Sequence, residues 1–288
     1  MLGNCLKVLF FVTCLAGVAT TMASELLVSN YFGNNVARYD LKTRRFMGTF
    51  SGGSLKGVLA TRIGPDGLLY VCSESNNTIQ RFSLASFRYV DTILSGRGLN
   101  HPTGIAFGSS GTMIVGNFED SSVTAFGPNG GFLNTLVASG ADGLKGCDVG
   151  IVIGPDGKLY VPGFDSNSIL RFDPATGSFI DTFIPAGKGG LSQPRTILFR
   201  DNKVWVTSDN GNKVLRYGLD GSFIDEFVAS GAGGLKGATG MVFGGDGFLY
   251  ISSWRNNKVL RFNAKTGAFV DVFIDSLLSG PTFLTIAP

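Results

Sequence analysis

Only one histidine, His101, occurs in the chain. A multi-histidine metal site is therefore excluded by count. No Gly-x-Ser-x-Gly elbow, phosphate loop or zinc-type Cys/His cluster is present. The residues with chemistry to offer are polar departures from an otherwise regular repeat. Asp148 stands where Pro102, Pro194 or Pro281 stands in corresponding segments. Arg195 holds a position that is threonine or aliphatic elsewhere, and Arg62 answers to Ala106, Val152, Leu198 and Val242. Together with His101 these form a candidate polar group at a channel mouth. Asp148 and Arg195 are suited to an ion pair. Arg62, if it faces the channel, is suited to holding an anion or water. Asp148, Asp165 and Glu119 come from adjacent repeats and are oxygen ligands of the kind calcium takes, though without a loop signature.

A second series is aromatic and acidic. Tyr31, Glu74, Phe118, Phe164, Asp209 and Trp254 fall at one position of the repeat, followed by Phe32, Ser75, Glu119, Asp165, Asn210 and Arg255. Large rings at loop tips are costly to leave in water and recur at the cores of interfaces. One reading is a contact face for a protein, peptide or glycan, carried by Tyr31, Glu74, Phe118, Phe164, Asp165, Asp209, Trp254 and Arg255. The other is that the rings fold onto neighbouring loops as satellite core.

The elements that must position these residues are short strands. Gly154 to Phe183 contains three apolar runs, Leu159–Val161, Ile169–Phe172 and Phe179–Phe183, rich in β-branched and aromatic residues. Gly154-Pro155-Asp156-Gly157 and Asp173-Pro174-Ala175-Thr176-Gly177 separate them with turn chemistry. A further strand precedes each GPDG-type turn, so the unit is a four-stranded antiparallel meander, A-B-C-D. The unit recurs at about 43–46 residues, the range of propeller blades. The first B strand lacks an A strand before it and the last A strand lacks a B strand after it. The expected fold is all-β: a six-bladed β-propeller of four-stranded antiparallel blades, closed by the C-terminal A strand joining the N-terminal B, C and D strands. The B–C and D–A loops share one face and the tight A–B and C–D turns the other. The variable loop face is the candidate site.

Two repeated features read as architecture. Arg81, Arg171, Arg216 and Arg261 on C strands lie nine or ten residues before Asp91, Asp181, Asp225 and Asp271 on D strands. That offset sets them opposite one another across a hairpin as ion pairs. The third blade has Ala125 and Asn134 there, and the first keeps Arg38 but has Gly48. Asn34, Asn77, Asn167, Asn212 and Asn257, with Ser121 in the third blade, precede the C strands and read as loop-holding residues.

Residues 1–23 have the pattern of a secretory signal peptide: Lys7, the apolar run Val8–Val18 and small residues to Ala23. The run is shorter than the roughly 20 residues that span a bilayer, and no later segment is apolar enough to do so. The expected organisation is a signal peptide, 1–23, and a propeller, 24–288, secreted or delivered to the periplasm or cell surface as a monomer. Cys72 and Cys147 remain after cleavage, and the repeat geometry separates them too far for an expected disulfide. A formal charge of +3 on 288 residues carries no nucleic-acid footprint.

The unit GPDGxLYVxSxxxNxVLRFDxxTGxFxDxF, preceded by SGxGGLxxPxGIAF, resembles the NHL-repeat family of six-bladed propellers, from about Glu25 to Pro288. The resemblance implies the fold but not one activity. More distant relatives include streptogramin lyase, the peptidylglycine amidating lyase and gluconolactonase-type lactonases, with a metal at the axis or in one mouth of the ring. The lyases depend on histidines, of which this chain has one. The Glu-Gly-Pro opening of the lactonase calcium site is absent, so none of its ligands transfers. The expectation is a binding module acting through the loop face. The alternative is a calcium-type, metal-assisted lyase or lactonase at the channel mouth.

Overall fold

The computed structural model describes residues 24–288. The expected signal peptide, with Cys5 and Cys14, lies outside the described residues. Six four-stranded antiparallel sheets form a ring. In blade 4 the strands are Val152–Ile153, Leu159–Gly163, Ser168–Phe172 and Phe179–Ile184. Blade 1 is composite: Pro281–Ala287 pairs with Glu25–Asn30, followed by Asn35–Asp40 and Phe46–Phe50. Glu25 lies opposite Ala287 and Val28 opposite Leu284, which is the closure expected from the sequence.

The blades meet through six apolar clusters. Aromatic residues of the B and C strands supply the largest buried rings, Tyr160, Tyr217 and Tyr250 among them. Tyr160 packs edge-on against Phe183 of its own blade and Phe199 of the next, at 5.0 and 4.9 Å, and Trp205 meets Phe227 and Phe243 in the same way at 4.5 and 5.0 Å. Such pairs add about 0.5–1.5 kcal/mol beyond their buried area. The innermost strands approach closely. A Cβ on Gly150 would overlap the carbonyl of Arg195, and one on Gly240 that of Thr282. Threonine hydroxyls stitch the same layer: Thr103 donates to Cys147 O, Thr196 to Thr239 O and Thr282 to Val58 O, each between adjacent blades.

The repeated asparagines are blade-to-blade latches. Each sits at positive φ, between 51° and 57°, a region asparagine tolerates better than most residues. There its Oδ1 reaches the next D–A loop. Asn34 accepts from Gly57 N, Asn77 from His101 N, Asn167 from Gln193 N, Asn212 from Gly237 N and Asn257 from Gly280 N, at 2.7–2.8 Å. Ser121 Oγ accepts from Gly146 N at 2.9 Å. The residues hold loops, as expected, but the loops belong to the neighbouring blade. Cys72 and Cys147 are free thiols, both buried, in different clusters.

The cross-strand ion pairs form as read from the spacing. Arg81, Arg171, Arg216 and Arg261 bind Asp91, Asp181, Asp225 and Asp271 through two nitrogens each. Ala125 faces Asn134 in blade 3, and Arg38, opposite Gly48, turns to Glu25 instead. Hydrogen bonds from the arginines hold the four aspartates below the ordinary carboxylate range. Because the folded state lowers these values, their stabilisation is present above pH ~4 and is lost as pH falls through the lowered range. Asp181 is 43% exposed, so water screens its pair. A double-mutant cycle on Arg171→Ala and Asp181→Ala should give a coupling of about 0.5–1 kcal/mol by urea unfolding at pH 7; zero coupling would refute the pairing role.

Candidate functional site

The loop face opens on a cavity of about 350 Å³ at one end of the central channel. Leu59, Thr103 and Thr282, from the beginnings of three A strands, line it, with Tyr31, Phe32, Glu74, Phe118, Asp148, Arg195 and Trp254. Every A–B ladder except that of blade 4 shifts register near this level, for example between Pro102 and Gly104 and between Pro194 and Ile197. In blade 4 the A strand begins only at Val152. Asp148 Oδ1 accepts from its neighbour Val149 N at 2.6 Å, a local turn that proline at the equivalent positions does not make. The turn leaves the other oxygen, Oδ2, directed at Arg195.

Four charges from three blades form a continuous chain. Arg195 Nη1 donates to Asp148 Oδ2 at 2.8 Å and its Nε to Asp209 Oδ2 at 2.7 Å. Arg255 Nη2 donates to Asp209 Oδ1 at 2.7 Å. The Arg195 guanidinium also lies over the Phe164 ring, 4.3 Å from its centroid. Both aspartates are buried, while Arg255 is 44% exposed. Burial opposes the charge on Arg195, but Asp148 and Asp209 outweigh it and raise its affinity for protons. At Asp148 burial wins. Loss of hydration, with Asp209 and Glu74 adding to it, pushes the carboxyl up to about 6 against the pull of Arg195.

Glu74 stands outside this chain. It is half-buried and accepts from the Tyr31 hydroxyl at 2.5 Å. Burial raises its carboxyl and also lifts the Tyr31 phenol to about 12. With two arginines balancing two aspartates, Glu74 is the uncompensated charge in the cavity. Beside it, Tyr31, Phe32 and Trp254 form an aromatic cluster with centroids 5.1–5.6 Å apart. Tyr31 and Trp254 are half-buried, and Phe32 is 64% exposed. The cluster rests on Gly280, where a Cβ would press on Phe32 and Trp254 at 2.8 Å.

The sequence-derived candidates therefore divide. Tyr31, Glu74, Phe118, Trp254, Asp148 and Arg195 share the cavity; Phe164 and Asp209 support Arg195 from behind; Arg255 and Asp165 are exposed at the edge. Two groupings are corrected. Arg62 does not share a mouth with His101, Asp148 and Arg195. It lies near the end of its strand, Val58–Ile63, in a second cavity at the opposite end of the channel, because the A strands run from one face to the other. His101 does not line the cavity; its side chain is 43% exposed, with Nδ1 3.8 Å from Glu119. Asp148, Asp165 and Glu119 form no ligand set, since no group of three His, Cys, Asp or Glu suited to a metal occurs among the described residues. Asp148 spends both oxygens on Val149 N and Arg195, while Glu119 and Asp165 face solvent. Phe32, the most exposed ring of the cavity, was not among the candidate face residues; its adjacency to Tyr31 was the available signal.

Asp148 binds its proton more tightly in the folded than in the unfolded chain, so between about pH 4 and pH 6 the folded state holds more protons. Its contribution is fully present below pH ~4 and is lost as pH rises through about 6. Asp148→Asn should flatten that fall in a series of urea midpoints from pH 4 to 7. Parallel curves for the two proteins would refute the assignment.

No family model and no curated protein matches the chain. Solved structures do match in fold. A chain of a nidogen/laminin complex aligns with a TM-score of 0.74 at 18% identity, over 92% of this chain and 98% of that one. A streptogramin B lyase aligns with a TM-score of 0.66 at 16% identity, over 91% and 86%. A catalytically inactive virginiamycin B lyase from Staphylococcus aureus, with quinupristin, aligns with a TM-score of 0.61 at 16% identity, over 93% and 94%. At these identities the likeness is one of fold: a six-bladed β-propeller.

Proposed function

We propose that the chain is an exported propeller of NHL-repeat type that binds a protein or peptide segment through its loop face. The observation that carries this reading is the Tyr31–Phe32–Trp254 cluster beside Glu74. One exposed ring and two half-buried ones beside a half-buried, uncompensated carboxylate suit a segment presenting an aromatic or aliphatic side chain and a lysine or arginine. The rings supply apolar contact area. Glu74 supplies a charge-assisted hydrogen bond, strengthened by its partial burial. The Asp148–Arg195–Asp209–Arg255 chain sets the shape of the opposite wall, its charges satisfied internally. A propeller neighbour drawn from a nidogen/laminin complex is in keeping with this role.

Selection of random twelve-residue peptides against the protein should enrich basic and aromatic residues. Bound peptides should alter the emission of Trp254, because Trp205, the other tryptophan, is buried. Phe32→Ala and Trp254→Ala should weaken binding at least about tenfold, and Glu74→Gln should remove the preference for basic residues. Enrichment of neither class, or unchanged affinity in both ring variants, would overturn the reading; a glycan array provides the other arm.

A second reading, a lyase or lactonase acting at the same mouth, rests on Asp148, whose carboxyl is poised near 6 within the cavity. The residues present do not fit a metal-assisted version, for the ligand reasons given above, so no step is derived through calcium. Calcium titration followed by a lactone screen decides it: saturable binding and turnover, both lost in Asp148→Ala, would replace the binding assignment.

A further inference from the structure

The second end of the channel holds an arginine without an ion-pair partner among the described residues. Its cavity, about 330 Å³, lies among the last residues of the A strands: Arg62, Leu198, Val242, Phe243, Phe283 and Ile286 are in its wall. Arg62 is the single ionisable residue of that wall. Its Nη2 is buried and has no hydrogen-bond partner among the described residues, and its guanidinium lies 4.8 Å from the Phe283 centroid. Burial lowers its affinity for protons to about 10, which leaves it charged at neutral pH, and the one titratable group acting on it is the Cys72 thiol. That thiol is itself pushed up to about 12 by burial and offers no negative charge. Arg62 as a whole is half-buried, but its Nη2 is sealed from water among apolar side chains, and a buried donor without an acceptor is unfavourable, so an anion that accepts from it is favoured there.

The geometry points to a binding site for a small organic carboxylate, its carboxylate on Arg62 and its apolar part along Leu198, Val242, Phe243 and Ile286. A carboxylate matches the planar donor fork of arginine. The polar neighbours are already engaged: Thr61 and Thr285 share a hydroxyl–hydroxyl bond of 2.7 Å, and Thr285 also donates to Thr61 O at 2.8 Å. A single cation in the cavity wall among the described residues, with apolar surroundings, favours a monoanion with a hydrocarbon tail over a phosphate dianion, which needs more donors. The cavity opens toward the A–B turns, where Ile63 is 38% exposed. At its lip the Arg200 guanidinium lies over Phe243, 4.1 Å from the centroid, with its one carboxylate partner, Asp201, 3.4 Å away and largely in solvent. A second cation at the opening draws anions inward.

The test is calorimetric titration of the protein with hexanoate and with inorganic phosphate, alongside thermal unfolding. Hexanoate should bind one site and raise the Tm, with affinity at least about tenfold weaker in Arg62→Met and in Arg62→Gln, because each removes the charge-assisted hydrogen bond. Without ligand, Arg62→Met should unfold at a higher temperature than the parent, since a near-isosteric apolar chain replaces an unpaired charge. If Arg62→Met fails to fold, Arg62→Gln carries the comparison. Equal hexanoate affinity in parent and variants, absence of binding, or phosphate binding as tight as hexanoate would each overturn the proposal.

Discussion

The ring depends on one strand pairing, that of Pro281–Ala287 with Glu25–Asn30. Without it the chain is a curved array with two open sheet edges and no channel. With it, five stretches of within-blade pairing become a closed circle in which every blade has two neighbours. The pairing also builds the aromatic cluster. Tyr31 N and Phe32 N donate to Gly280 O and Ser279 O, just beyond the paired strands, and this brings two N-terminal rings to Trp254 of the last blade. The seam that confers closure and the surface proposed for binding are the same place in the molecule.

Charge is used in two ways. The outer arginines repeat, face solvent in part and pair with an aspartate on the adjacent strand. Each contributes little, and their number makes them part of the blade pattern. The inner arginines, Arg62 and Arg195, occur once each, near the axis, where water is scarce and pairing matters more. Arg195 has two aspartates and a ring beneath it. Arg62 has a ring and, among the described residues, no anion. The two ends of the channel thus differ in kind: one presents a spare carboxylate beside aromatic rings, the other a guanidinium among apolar walls. That asymmetry is not required by the fold, since the repeat supplies threonine, glycine and aliphatic residues at most of the equivalent positions.

Much of this was legible in the chain itself. The spacing of Arg171 and Asp181 sets them opposite one another because a hairpin has a fixed register. The truncated first and last repeats imply closure because an exposed edge is costly. Asp148, Arg195 and Arg62 stood out as breaks in an aligned series. What the alignment could not convey was depth along the axis. Arg62 and Arg195 both fall on A strands, three positions apart in the aligned repeat, and so looked like members of one group. Three strand residues span about 10 Å, enough to put them in different cavities. The latch asparagines show the same limit: their type marked a left-handed loop residue, but the acceptor's partner lies 23–26 residues away in the next blade.

The sequence by itself determined the blade, the number of blades, the way the ring closes and the hairpin ion pairs, because each follows from local turn chemistry, period-two patterning and the repeat. Only the tertiary structure decided which irregular residues meet. Asp148 finds Arg195 across 47 residues, Arg255 finds Asp209 across 46, and Tyr31 finds Glu74 across 43. Those contacts depend on how adjacent blades are packed and rotated about the axis. That rotation is set by the close approach of Gly150 and Gly240 to their neighbours and by the interlocked rings between blades, a property of the assembled ring that no single repeat encodes.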